Sequence, residues 1–567
     1  MLAIASNPGF PLLAVGLLVL ALPAALRAPA MALGALGSLV MLFAPPFGAS
    51  QAIEQLGVVI VAARIDALSQ LIGFALVLIA LMASITSPTR RGRGEDAALA
   101  LHLGAAATAV FAGDLVSFLA AAELCALTGG WLVLSAGGQA GLQGAARYLM
   151  WQAPGSIALL AGCAFVFAEN GSSLFGAAGP SVIGEGLMMT ALFIRIGAPL
   201  THPWVRDAAA AVSPGAMTVV TMAGPLVALY GLSRAFTGEP ILALAGLGMI
   251  AMGALYALLE SDLRRAFAGL TTLQMGACLV AAAAPDVAGV GAAGLLAFTA
   301  TIGLLTLGAA LSAAVTLAGT ADARTIPSLG AALPVSASAA CIGAASLGAA
   351  PILAGGVGLG LTAETIAAAA GLIGAYVAPA FAALSALGAA RIAAAAFFAP
   401  TGAPARQRSV GGAGMLIGLL LSVFLCLAIG AAQSWLAALA PNPLAVRLPW
   451  VNLIDQALAA AAGLAVLGLA CAVRLTDLAG AGAPFDVDDF YRGPLFSLLR
   501  WGGRLVLRLF AAMRSGGEAA GKAVAAVGIS IGRFADRPFR PGAPGLAGAL
   551  AAAVTLIFLL AVFTSWR

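Results

Sequence analysis

The chain has 567 residues, 62% of them hydrophobic and only 9% charged, with a net charge of +5 and a mean hydropathy of +1.06. A soluble protein devotes about a quarter of its residues to charge, so that class is excluded. The few positive charges are spread between apolar runs and over a C-terminal stretch, which fits membrane topology and excludes a nucleic-acid surface.

Apolar runs of about 18 residues or more recur along the whole length, and each reads as a membrane helix. Spans begin near Phe10, Ala28, Ile65, Ala97, Asp114, Tyr148, Ile183, Pro214, Ile241, Phe267, Val290, Leu333, Ala375, Gly412, Val451 and Gly545. About 15 or 16 helices are therefore expected, an all-α polytopic membrane protein. The short alternating segments of a membrane barrel are not seen. The first span lacks a basic leader and runs straight into a second, so it reads as a retained helix. Asp66, in "ARIDALSQ", is placed to cap a helix start. The span from Leu333 is interrupted by "GAAPILAGGVGLG" between Gly348 and Gly360, which predicts a broken helix lining protein or a water-filled cavity.

Arginines set the orientation. Arg90, Arg91, Arg93, Arg147, Arg206, Arg264, Arg265, Arg324, Arg406 and Arg408 fall on one side if spans alternate, against Arg234 and Arg447 on the other. Basic loops stay cytoplasmic, which puts the N-terminus outside in a cell inner membrane. Between Leu495 and Arg540, Arg500, Arg504 and Arg508 recur every four residues among apolar ones, the pattern of an amphipathic helix lying along the cytoplasmic face. All six cysteines lie in apolar spans at wide spacing and read as small buried hydrophobes. The two histidines, His102 and His202, cannot make a metal site alone. No phosphate-binding GKS/T motif occurs, and no cofactor site is expected.

A charge at bilayer depth is costly and so marks function by default. Glu123, in "FLAAAELCALTGGWLVL", is the clearest case, and a carboxyl so placed can pass protons. Glu364, in "LTAETIAAAA", is a weaker candidate. Arg147 in "AARYLMW" and Arg195 in "FIRIGAP" could each pair with Glu123 across a bundle. The charges of "LLESDLRRAF" read as a short solvated loop.

Taken in order, "ARIDALSQLIGFALVLIALMASI", "FLAAAELCALTGGWLVLSAGG", "LQGAARYLMWQ", "FIRIGAPLTHPWVRDAAAAVSPGA" and "LLESDLRRAFAGLTTLQMGACL" resemble the proton-translocating antiporter-like subunits. These occur in Mrp-type multisubunit cation/proton antiporters, respiratory complex I and membrane-bound hydrogenases. "FDVDDFYRGP" near Phe485 is similar to a C-terminal element of the Mrp D-like branch. The resemblance implies two inverted five-helix repeats, each with a broken helix, a polar axis at mid-membrane and a lateral amphipathic helix. It divides the chain into N-terminal helices (1–96), a first repeat (97–236), a second repeat (237–399), C-terminal helices (400–484), an amphipathic segment (485–544) and a final helix (545–567). It likens Glu123 to the family's glutamate on the fifth helix and Arg195 to the lysine that pairs with it. His202, Trp204 and Asp207 keep further residues of the motif.

The departures are as informative. The chain's one lysine, Lys522, lies in the amphipathic segment. Where the family places further intramembrane lysines or histidines, this chain has Thr299, Thr301 and Thr306, and Gly358 or Leu359 in the broken helix. Arginine effectively cannot lose its proton as a buried lysine can. The resemblance implies a membrane subunit that does no catalysis itself and works with other membrane subunits, moving protons and exchanging them for a cation such as Na+. With the residues read above, the candidate proton path comprises Glu123, Arg195, His202, Asp207, Arg147 and Glu364. The missing charges keep two alternatives open: a structural subunit that conducts nothing, and a membrane partner of a soluble enzyme in carbon or redox metabolism.

Overall fold

The computed structural model describes residues 6–45, 50–55, 58–86, 91–175, 182–398, 412–439 and 461. All lie in one compact unit, 1–482. The span expected at Val451, the amphipathic stretch Leu495–Arg540 and the helix from Gly545 fall outside the described residues, as do Arg90, Arg406, Arg408 and Arg447.

Helices α1 (Phe10–Val19) and α2 (Ala24–Phe43) lead into an antiparallel hairpin, β1 (Ser50–Gln55) and β2 (Val58–Arg64). Then follow α3 (Ala67–Ile85), α4 (Arg93–Phe111), α5 (Leu115–Leu134), α6 (Gly138–Asn170), α7 (Val182–Ile196), α8 (Pro203–Ala211) and α9 (Met217–Ala235). Next are α10 (Pro240–Leu259), α11 (Leu263–Ala282), α12 (Asp286–Ala318), α13 (Pro334–Leu347), α14 (Ala354–Ala369), α15 (Gly374–Phe397), α16 (Gly412–Ala431) and α17 (Gln433–Leu439). Among the described residues, ten helices are long and apolar enough to cross a membrane. Asp66 caps α3 through a capping box with Ser69, as its position before the apolar run suggests.

The series α4–α9 recurs in α10–α15. In each, the second helix starts at an aspartate N-cap, Asp114 for α5 and Asp262 for α11. Each aspartate accepts two N–H groups of its first turn and forms a β-bridge with the segment that follows the next helix, at Leu174 and Asp322. That next helix is 33 residues long in both series and ends on a left-handed glycine, Gly171 or Gly319. A broken pair follows, α7/α8 or α13/α14, and then a helix entered through a 3-10 turn at 214–216 or 371–373.

The core is built by close backbone approach. Helices α10 and α11 meet along glycines: a Cβ on Gly246 would lie 2.6 Å from the Gly276 carbonyl oxygen, and one on Gly253 2.6 Å from that of Gly269. Apolar side chains gain nothing from leaving lipid, so membrane helices associate through such small-residue faces. The break in the second series is shorter than "GAAPILAGGVGLG" suggests. It covers 348–353, and the later glycines lie inside α14, where they let that helix press on its neighbours.

Candidate proton-handling site in the first helical series

The break between α7 and α8 shapes the site. Gly197 adopts φ +76, which ends α7 at little steric cost. The carbonyls this leaves open are closed by the residues that follow: Thr201 Oγ1 donates to Phe193 O at 3.0 Å, and Trp204 Nε1 donates to Ile194 O at 2.8 Å. Arg195 thus sits in the last turn of α7, where the helix dipole favours a cation.

The guanidinium is 4% exposed and reaches three acceptors on two helices. Nη2 donates to Glu123 Oε1 at 2.5 Å and to Ser156 Oγ at 3.1 Å, and Nη1 donates to Ala122 O at 2.8 Å. Glu123, nine residues beyond the Asp114 cap on α5, keeps its side chain 28% exposed. The arrangement is a carboxylate that stays reachable, held against a cation that is buried and fixed.

The other candidate residues separate from this pair. Arg147 does not meet Glu123; its Nη1 donates to Asp207 at 3.0 Å. The sequence places Arg147 at a helix start, but α6 begins at Gly138, so the side chain emerges about two and a half turns in, against α8. Asp207 also accepts from Arg265 at 3.1 Å. His202 Nε2 lies 2.9 Å from the Tyr256 hydroxyl. Arg206 stacks 3.9 Å over the Tyr256 ring and bonds Glu260 at 2.7 Å. Glu364 is exposed on α14 and is not brought to the others.

The expected solvated loop of "LLESDLRRAF" needs correcting: Glu260 is 6% exposed, enclosed by Arg206 and by Arg391, which donates to the Ala257 and Glu260 carbonyls. Burial pushes the Glu260 carboxyl above its ordinary range, with Arg206 opposing the shift. Sequence reasoning missed Tyr256, Ser156 and Arg391. Only Arg391 left a signal, a lone guanidinium among alanines.

In the second series the residue nine beyond the cap is Thr271, whose hydroxyl bonds the Phe267 carbonyl of its own helix. Thr299, Thr301 and Thr306 do the same with carbonyls four residues back. A Cβ on Gly358 would lie 2.0 Å from Thr299 Oγ1, so no side chain fits there. Gln274 donates to Ser385 at 3.1 Å. Among the described residues no three His, Cys, Asp or Glu side chains form a group that could hold a metal.

Residues 112–379 match the family described as "NADH:quinone oxidoreductase/Mrp antiporter, TM". A curated relative, NADH-quinone oxidoreductase subunit N of Ectopseudomonas mendocina (strain ymp), is 29% identical over 239 residues, which is 38% of this chain. The chain spans about half the length of that relative, 48%. Among solved structures, the chain is similar to one in the Mrp complex from Dietzia sp. DQ12-45-1b, with TM-score 0.70 and 20% identity over 96% of this chain and 64% of that one. It is also similar to a chain of respiratory complex I from Thermus thermophilus, with TM-score 0.65 and 21% identity over 77% of this chain and 99% of that one. A chain of the membrane-bound sulfane sulfur reductase, an archaeal respiratory membrane complex, gives TM-score 0.66 and 16% identity over 80% of this chain and 99% of that one. At these identities the structural likenesses establish the fold. Over residues 112–379, a little under half of the chain, the sequence is thus similar to the membrane family shared by NADH:quinone oxidoreductase and the Mrp antiporters, and the chain as a whole has the multi-pass helical fold of its structural neighbours.

Proposed function

We propose that the chain is a membrane subunit of a multisubunit ion-translocating complex of the complex I or Mrp kind, embedded in the cell inner membrane beside other membrane subunits. Its share of the work is proton passage through Glu123, in an axis built from two inverted repeats, 97–236 and 237–399. The observation that carries this reading is the pair itself: a carboxylate 28% exposed against a guanidinium 4% exposed.

Arg195 stays charged throughout, because guanidinium does not titrate in proteins. It therefore biases Glu123 electrostatically and cannot be the carrier. Glu123 can take and release a proton while Arg195 rests on Ser156 and the Ala122 carbonyl. The layer of Arg147, Asp207 and Arg265 supplies acceptors and fixed charge toward one end of the bundle. His202 and Glu364 are assigned no step.

A second reading, a structural subunit that conducts nothing, is favoured by the second series, where Gly358 packs directly on Thr299 and the threonine hydroxyls are held by their own helices. The two readings differ in one experiment. A tag on this chain identifies its partners, and the native complex, purified by a tag on one of those partners, is placed in vesicles carrying a pH-sensitive dye, prepared with and without this chain. Proton translocation predicts co-purifying membrane subunits and a pH change that depends on this chain. An equal pH change in complexes that assemble without it supports the structural reading.

A further inference from the structure

We propose that His102 is a second proton-exchanging side chain of the first helical series, working with the Tyr148 hydroxyl across the gap left by Gly129. The inference rests on the proton-passage reading and deepens it, because that site otherwise holds one carrier and a cation that cannot titrate.

His102 lies at the middle of α4 and is 0% exposed. Its Nδ1 is 2.9 Å from the Cys125 carbonyl of α5. A carbonyl only accepts, so Nδ1 carries the hydrogen, and in the neutral ring Nε2 is a bare acceptor. Nε2 is enclosed and meets no donor among the described residues. Buried polar atoms are nearly always paired, and an exception calls for a reason.

The geometry points to one. A Cβ on Gly129 would lie 2.3 Å from Tyr148 Oη and 2.9 Å from His102 Cε1, the carbon bonded to Nε2. The missing side chain is what lets the α6 hydroxyl and the α4 imidazole face the same small gap. Tyr148 is itself buried, at 2% exposure, and braced edge-on by Trp204. It follows Arg147, which meets Asp207. Glu123 is six residues before Gly129 on α5, about 9 Å along the axis. His102 is thus stationed between the Arg147–Asp207 layer and the Glu123–Arg195 pair.

The step balances as a plain proton transfer. Nε2 takes a proton arriving from the Arg147–Asp207 end, and the imidazolium then donates from Nδ1 to Cys125 O and from Nε2 to Tyr148 Oη. Release of the Nε2 proton through water to the Glu123 carboxylate restores the neutral ring, with Nε2 again a bare acceptor facing the gap. Nδ1 never leaves the Cys125 carbonyl.

The test uses the intact complex in vesicles with a pH-sensitive dye. His102→Asn keeps an N–H for the Cys125 carbonyl and removes the Nε2 base. Assembled complexes should then lose proton flux by about a hundred-fold, the lower end of the scale of a positioned acid-base group. Tyr148→Phe should slow the flux several-fold, and Gly129→Ala, whose methyl fills the gap, should reduce it as far as His102→Asn. Full flux in assembled His102→Asn overturns the proposal. If that variant does not assemble, Tyr148→Phe decides, since it removes one oxygen from an otherwise unchanged ring; full flux there overturns it equally. Glu123→Gln is measured alongside. Flux lost in Glu123→Gln but intact in His102→Asn refutes the role of His102 alone, whereas flux intact in both refutes the proton-passage reading itself.

Discussion

Replacing the two members of the Glu123–Arg195 pair should destabilise the protein unequally and non-additively. Arg195→Gln removes three hydrogen bonds donated by the guanidinium, one of them also an ion pair, and leaves a partly buried carboxylate alone. Breaking a buried pair from one side costs about 3–5 kcal/mol. Glu123→Gln is milder: the amide oxygen can still accept from Nη2, and Arg195 keeps Ser156 Oγ and the Ala122 carbonyl. Its cost is about 1.5–3 kcal/mol, the range of hydrogen bonds to charged groups. The double variant strands neither charge, so its loss should fall short of the sum by about 1.5–3 kcal/mol. The assay is equilibrium unfolding of the purified protein in mixed detergent micelles, titrated with a denaturing detergent, for wild type, both single variants and the double. Additivity to within about 0.5 kcal/mol would refute the reasoning, because it would mean that the two side chains do not interact.

Gly253→Ala should be among the most damaging small substitutions, since its Cβ would stand 2.5 Å from the Leu273 backbone nitrogen. Overpacking of this kind costs about 1–3 kcal/mol or more, read as reduced yield and a lower unfolding midpoint. At Asp66, burial would raise the carboxyl, but the Arg234 guanidinium, the Ser69 N–H and Arg64 outweigh it and hold the group below its ordinary value of 3.8. A depressed carboxyl contributes stability that is complete above pH 3.8 and is lost as pH falls through the folded-state value. Acid unfolding should therefore steepen below about pH 4, and Asp66→Asn should both weaken α3 by about 0.5–2 kcal/mol and flatten that acid limb. Tyr256→Phe removes the partner of His202 Nε2 but keeps the ring under Arg206. It should cost about 1 kcal/mol in unfolding experiments; a loss several times larger would show that the hydroxyl organises more than the histidine.

What the sequence made legible was whatever a single segment decides. Asp66 before an apolar run with a serine three residues on can only cap, and α3 begins there. Glu123 and Arg195 stood out because lipid tolerates neither without a partner. The start of α6 was misplaced because "SAGGQAGLQG" reads as loop by the soluble-helix cost of glycine, about 1 kcal/mol each, a cost that membrane helices routinely bear. That error carried Arg147 to the wrong partner. The hairpin β1–β2 was hidden because "VVIVAAR" runs into the next span, and an apolar run has no period by which to tell strand from helix. The meeting of Arg206, Glu260, Arg391 and Tyr256 joins segments far apart in the chain, so no local pattern announces it. The vacancy of the second series was visible as missing charge. That a side chain at Gly358 would collide with Thr299 needed the packing.

The central claim is that protons pass through Glu123. The measurement that tests it most directly is the initial rate of acidification or alkalinisation in vesicles holding the intact complex, compared between wild type, Glu123→Asp and Glu123→Gln at matched assembly. Glu123→Asp keeps a titratable carboxyl one methylene shorter and should retain a reduced, measurable rate. Glu123→Gln keeps the shape without the proton and should abolish the share of the flux that depends on this chain. Equal rates in wild type and assembled Glu123→Gln would contradict the account.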